Sequence, residues 1–266
     1  MAEFGGSTGK VHYGHWVPPE PRAVVVFFHG LGEHIGSYEP FAAALNDAGF
    51  ALWAADHAGH GRSEGVRVLI ESVDNLLDDA ETLVRLAREA HPDLPLVVAG
   101  HSLGSLVAAL LTGERAVAPS ALVLAGSSLL PEGGGLAELV AGGVDLWELR
   151  KDPAELSRHP DFVRQIREDP LTWDGGLRVE TLRALGEAAP RVSTVLGSLN
   201  LPVLLLHGAE DDLAPASGAE RAAKLLPDAR AVIFPEDRHN ILNELDRDEV
   251  YRVLIGFLDE TLQGDR

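Results

Sequence analysis

Leu96-Val97-Val98-Ala99-Gly100-His101-Ser102-Leu103-Gly104 is the stretch that decides the fold. A short apolar run of strand character passes without a linker into a glycine-flanked serine, and then into a helical run from about residue 103 to 111. A serine on a tight strand-to-helix turn sits on strained backbone and is presented at the end of the strand. Small residues two positions to either side let the helix pack close to the strand, which gives Gly100 and Gly104 a steric reason. The five-residue pattern alone is common, so its weight comes from lying between strand and helix. Ser102 is read as a nucleophile, against the alternative of a plain turn serine.

Outward from this stretch, apolar runs alternate with amphipathic segments. Strands are predicted at 23–29, 51–56, 96–100, 121–125, 202–208 and 229–234. Helices are predicted at 41–48, ended by Gly49, and at 72–90, 217–226 and 246–262. The 72–90 segment carries its acids early and Arg85 and Arg88 late, which complements the helix dipole. This alternation predicts an α/β fold with a mostly parallel, doubly wound sheet.

One stretch breaks the rhythm. Residues 127–200 separate two strands by about seventy residues, where a plain strand–helix–strand unit needs roughly 30. Short helical pieces are predicted near 136–141, 161–168 and 177–188, and Leu129, Leu130, Leu136, Leu139, Val140, Val144, Leu146 and Trp147 make the first third apolar. This segment is expected to be a cap inserted into a core formed by residues 1–126 and 201–266. Ordinary core-packing helices are the alternative for most of those leucines.

The bulk composition excludes several function classes. The 266 residues contain no cysteine, so disulfides, thiolate metal sites and thiol nucleophiles are ruled out. A formal net charge of −19 disfavours nucleic acid as a partner and serves solubility. The N-terminal residues have neither the basic start nor the apolar stretch of a signal peptide, and the apolar runs are too short to span a bilayer. A cytoplasmic protein is expected, with peripheral attachment at membranes as the second expectation.

A serine hydroxyl needs a base to take its proton and a group to orient that base. In this kind of fold the acid and then the histidine follow the serine along the chain. The late strand runs into His207-Gly208-Ala209-Glu210-Asp211-Asp212, a loop at a carboxyl strand end where ligand sites lie. Three acids compete there; Asp211 is preferred over Asp212 and Glu210. His239 is the one histidine after them, so chain order selects it as the base. A tetrahedral intermediate also needs two backbone N–H donors. Leu103, following the nucleophile, and Leu31, in His29-Gly30-Leu31-Gly32-Glu33-His34, are expected to supply them.

His29, His34, His57, His60 and His101 gather at strand ends, but their spacing fits no zinc pattern, so they are expected to brace loops. No metal or cofactor is expected.

Taken together, His29-Gly30-Leu31-Gly32-Glu33-His34, Asp56-His57-Ala58-Gly59-His60-Gly61-Arg62-Ser63, the Ser102 segment, His207-Gly208-Ala209-Glu210-Asp211 and Arg238-His239 resemble the monoacylglycerol lipase and lysophospholipase-like branch of the α/β-hydrolases. The likeness runs from about Val11 to the last helix, and the first two loops are the most specific to that branch. It implies the acid at Asp211, three residues after Gly208, an oxyanion hole from Leu31 and Leu103, and a mobile cap over an apolar acyl tunnel. Asp169-Pro170-Leu171 also looks like a segment of related lipases, whereas Gly133-Gly134-Gly135 has no counterpart in the pattern.

The expected activity is hydrolysis of a small acyl ester, a monoacylglycerol or similar, through an acyl-enzyme on Ser102, with transient contact of the cap with lipid surfaces. A lysophospholipase or thioesterase would use the same residues. From another class, a non-catalytic receptor of this fold could bind a small apolar ligand and keep the triad.

Overall fold

The computed structural model describes residues 2–127, 129–130, 145–148 and 152–263. Its centre is an eight-stranded sheet in the order β1-β2-β4-β3-β5-β6-β7-β8. The strands are β1 (Ala2–Gly6), β2 (Gly9–Trp16), β3 (Ala23–Phe28), β4 (Phe50–Ala55), β5 (Leu96–His101), β6 (Ala121–Ala125), β7 (Val203–Gly208) and β8 (Ala229–Phe234). β3 to β8 are parallel neighbours, whereas β2 runs antiparallel to both β1 and β4. The six strands expected from sequence are all present, and the β1–β2 hairpin is additional. It carries little signal: β1 contains Gly5 and Gly6, its faces are half-exposed, and a two-residue turn closes at the Gly6–Gly9 pair.

The central strands are buried on both faces, as covered parallel sheets require. Alternation sorts their side chains into two layers. Val24, Val26, Phe28 and Val98 face one apolar layer, which includes residues of α2 (Val73–Ala90) and α3 (Leu103–Glu114). Val25, Phe27, Leu52 and Leu204 face the other, with residues of α1 (Glu39–Asp47) and α7 (Arg247–Gln263). Helix α6 (Ser217–Leu225) joins β7 to β8.

Within the long insertion, a 3-10 turn at Pro153–Glu155 precedes α4 (Pro160–Glu168), and α5 (Val179–Leu196) follows. Helix α5 lies in the core layer, because Ala184, Ala188, Val192, Val195 and Leu196 pack in the same cluster as α3. The last part of the 127–200 segment thus packs directly against α3. The helix also runs well past the predicted end at 188, through Pro190. Pro190 and Gly186 are both exposed, so the carbonyl deprived of its partner faces water and the break is avoided. The predicted piece at 136–141, with the Gly133-Gly134-Gly135 run, lies outside the described residues.

Candidate active site

Ser102 occupies the turn between β5 and α3 with φ 50° and ψ −115°, a left-handed conformation that a side chain adopts only under strain. Its N–H donates to Ala125 O at 2.9 Å, and its carbonyl accepts from Ser105 N at 2.9 Å, which fixes the turn from both sides. The flanking glycines have a measurable reason. A Cβ on Gly104 would stand 1.9 Å from Phe28 O, and one on Gly100 would stand 2.0 Å from Gly104 O. Helix α3 thus lies against β3 and β5 at a distance that only glycine permits.

Ser102, His239 and Asp211 meet in one hydrogen-bonded chain. Ser102 Oγ lies 2.9 Å from His239 Nε2, and His239 Nδ1 lies 2.8 Å from Asp211 Oδ2. Three loops at carboxyl strand ends, after β5, β7 and β8, supply the three residues. Asp211 is buried and its Oδ1 also accepts from Leu213 N and Ala214 N, both at 2.9 Å. Burial alone would raise its pKa, but hydrogen bonds from His207 and His239 hold it far below the ordinary carboxylate range. Burial keeps the His239 pKa below its ordinary value, although the pair with Asp211 opposes this. The resting imidazole is therefore neutral and able to accept a proton. Glu210 and Asp212 are exposed. His207, 3.0 Å from Asp211 Oδ2, is a contact that sequence reasoning missed, although it stands in the quoted His-Gly segment.

The loop after β3 makes a turn in which Glu33 N donates to Gly30 O at 3.2 Å and Gly32 takes φ +82° at the third position. That is the type II pattern, which needs glycine there and places Leu31 at the turn's second position. Leu103 is the first residue of α3, where backbone N–H groups have no acceptor inside the helix.

Behind the Ser102–His239–Asp211 contacts lies a polar cluster, buried except for the partly exposed Glu33. Glu33 Oε2 accepts from Gly30 N at 2.7 Å and Tyr38 Oη at 2.5 Å, and lies 3.2 Å from His101 Nδ1. Glu33 Oε1 accepts from Asn240 Nδ2 at 2.5 Å, and His101 Nε2 donates to the carbonyl of His239 at 3.1 Å. Both ring nitrogens of His101 thus face acceptors, the arrangement of an imidazolium. Burial would lower the His101 pKa, but the Glu33 charge raises it above its ordinary value. Burial would likewise raise Glu33, but His101 and the hydrogen bonds pull it down to about 2. Glu33, Tyr38 and Asn240 were not singled out from sequence; only the histidine cluster hinted at them.

His29, His57 and His60 pack against one another with ring centroids 4.3–5.9 Å apart. His29 Nδ1 donates to Gly30 O, its Nε2 accepts from His57 N, and His57 Nε2 donates back to His29 O. Both ring nitrogens of His29, Nε2 of His57 and Nδ1 of His60, which donates to Ala58 O at 3.0 Å, are spent on loop backbone, whereas His60 Nε2 is buried without a hydrogen-bond partner. Among the described residues, the one set of three side chains close enough to share a cation is Asp237, Glu244 and Asp246, and the guanidinium of Arg158 already fills it.

The insertion reaches the Leu31 loop directly. Trp173 N donates to Gly32 O at 2.8 Å, and His34 Nε2 donates to Asp169 Oδ2 at 3.1 Å, which engages the Asp169-Pro170-Leu171 segment. A cavity of about 630 Å³, lined by residues including Ser157, Val163, Arg167 and Arg238, lies on the insertion side of the His239 loop and does not include Ser102.

A mostly parallel sheet carrying a serine on a strained strand-to-helix turn, within reach of a buried histidine, defines an α/β-hydrolase. The family model described as serine aminopeptidase, S33 matches residues 19–246, and the chain belongs to this family. It is 34% identical to a monoacylglycerol lipase of Mycolicibacterium smegmatis over 91% of this chain and 90% of that one. It is 30% identical to a monoglyceride lipase of Mus musculus over 87% and 84% of the two chains. The crystal structure of Paleococcus ferrophilus monoacylglycerol lipase superposes with a TM-score of 0.79 at 28% identity, covering 93% of this chain and 98% of that one. The chain is a serine hydrolase of carboxylic esters, similar to monoacylglycerol lipases, and its substrate is a small ester. Among the described residues, no helix is long and apolar enough to cross a membrane.

Proposed function

We propose that this enzyme hydrolyses monoacylglycerols through Ser102, His239 and Asp211. The observation that carries the reading is the chain of contacts at 2.9 Å and 2.8 Å from Ser102 Oγ through the His239 ring to Asp211. Ser102 Oγ attacks the ester carbonyl as its proton passes to His239 Nε2, and Asp211 holds the resulting imidazolium. The N–H groups of Leu31 and Leu103 stabilise the oxyanion. Collapse breaks the bond to the glycerol oxygen, which takes the proton from His239. Water, deprotonated by the same histidine, then attacks the acyl-enzyme and releases the fatty acid and Ser102.

Residues 127–178 act as the cap and residues 1–126 with 179–266 as the core, a division supported by the packing of α5 on α3. Contact of the cap with lipid surfaces is supported by exposed Val66, Trp147 and Val179, which flank the seam where Arg178 Nε donates to Arg67 O. An interior location in the cytoplasm remains part of this reading.

The test is hydrolysis of p-nitrophenyl esters from acetate to palmitate, together with a monoacylglycerol, by wild type and Ser102→Ala. Turnover of medium chains and of the monoacylglycerol, lost in the variant, is the expected result. A peak at acetate would make it a small-ester esterase. No turnover of any ester would leave a ligand-binding role in its place.

A further inference from the structure

The base of the insertion is stitched to the loop that carries His239. Asn240 N donates to Leu156 O at 2.8 Å, Ser157 Oγ donates to Asn243 O at 2.9 Å, and Arg238 Nη1 donates to Ala154 O. The centre of this seam is Arg158. Its Nη1 donates to Glu236 at 2.8 Å, its Nη2 to Asp237 at 2.6 Å and Asp246 at 3.0 Å, and its Nε to Glu244 at 3.1 Å. Its own N–H also donates to Glu244 Oε1 at 3.0 Å.

Those carboxylates belong to residues 236–246, on both sides of His239. The side chains of Asp237 and Glu244 are fully buried. Glu244 further accepts from Arg238 N at 3.1 Å and Leu245 N at 2.7 Å, so it fixes the backbone on either flank of the 239–243 segment. The Asp237 carbonyl accepts from Glu210 N at 2.9 Å, which ties the same loop to the turn bearing Asp211. Without a cation between them, three carboxylates within 4.8 Å of one another repel. Even with Arg158 present, burial and then the neighbouring Asp246 and Glu244 carboxylates push the Asp237 carboxyl well above the usual carboxylate range. One guanidinium thus keeps the loop closed on itself, and a planar fork with several donors suits this where an ammonium does not.

We propose that Arg158 is a positioning residue for the reaction: through Asp237 and Glu244 it holds the His239 loop in register with Ser102, coupling the insertion to the catalytic base. This rests on the reading of Ser102 and His239 as nucleophile and base.

The experiment measures the second-order rate at which a small fluorophosphonate labels Ser102, a reaction that needs the base and makes little use of a site for a long acyl chain. Wild type, Arg158→Met, Arg158→Lys, the neutralised Arg158→Met/Asp237→Asn/Asp246→Asn chain, and His239→Ala are compared, with ester kcat, KM and thermal unfolding recorded on each. Arg158→Met is expected to lose about tenfold or more in labelling rate and in kcat, with KM little changed, since misplacement on the ångström scale has that cost. Arg158→Lys is expected to recover part of it. The neutralised chain is expected to regain thermal stability while labelling stays slow, and it serves where Arg158→Met does not fold. Labelling at the wild-type rate in every folded Arg158 variant, with His239→Ala slow, would overturn the role of Arg158 alone. Labelling of His239→Ala as fast as wild type would overturn the triad reading itself.

Discussion

Buried His101 and partly exposed Glu33 form an ion pair at 3.2 Å that binds the Leu31 loop to the Ser102 turn and, through the His239 carbonyl, to the loop that carries His239. Three loops that must keep fixed distances from one another converge on a single charged contact.

Replacing Glu33 by Gln removes the charge and leaves the His101 imidazolium unpaired. Breaking a buried pair from one side costs up to about 3–5 kcal/mol, here reduced by whatever His101 regains on losing its proton. A lowered urea midpoint with a matching fall in kcat is expected. The pH dependence has a definite sign. The Glu33 contribution is present above its unfolded pKa and is lost as pH falls towards about 2, whereas that of His101, whose pKa is raised, is present below its unfolded value and lost as pH rises through its folded one. A midpoint unchanged in Glu33→Gln at neutral pH would contradict this.

Ser102→Gly is expected to abolish esterase activity and still raise the unfolding midpoint. Glycine adopts φ 50° and ψ −115° without steric cost, and relief of about 1–3 kcal/mol of strain outweighs the added freedom of its unfolded chain. Calorimetry on this variant beside Ser102→Ala checks it, since alanine keeps the strain.

Asp211→Asn should cost about 10⁴-fold in kcat, because an amide no longer fixes the tautomer of His239 that leaves Nε2 free to accept. Asp212→Asn and Glu210→Gln, on exposed side chains, should stay within about 0.5 kcal/mol of wild type in stability and close to it in rate. Steady-state kinetics on the three variants is sufficient.

His29, His57 and His60 predict acid sensitivity. Burial lowers all three, to about 3 for His57 and about 4 for His60, while an unfolded histidine titrates near 6.5. Below about pH 6.5 the unfolded chain binds more protons, so stability is full above that pH and declines as pH falls towards 3–4. Denaturant midpoints taken from pH 8 to pH 4 should drop, and less steeply in His60→Asn than in wild type.

The order of elements and the meeting of Ser102, Asp211 and His239 were legible because each rests on local signals: apolar runs, flanking glycines, and chain order after a strand-to-helix turn. The β1–β2 hairpin was not legible, because its glycines and half-exposed faces imitate a loop. Helix α5 was expected to end near residue 188 and runs on through Pro190 to Leu196, since whether a lost carbonyl partner matters depends on exposure, which only the fold decides. Glu33, Arg158, Asp237 and Glu244 were silent for a deeper reason. Ordinary charged residues become consequential only when segments more than sixty residues apart bury them together.

Because α5 packs on α3 in the core, the chain that joins β6 to α5 begins and finishes at two anchored points, the end of β6 and the start of α5. The closure entropy of such a loop grows only logarithmically, about 0.6 kcal/mol for each doubling of length. Evolution can lengthen, shorten or exchange that stretch while the sheet and its reactive loops stay untouched. Diversification of what the enzyme accepts is thereby uncoupled from preservation of what it does, except at the few seams where the two halves are sewn together.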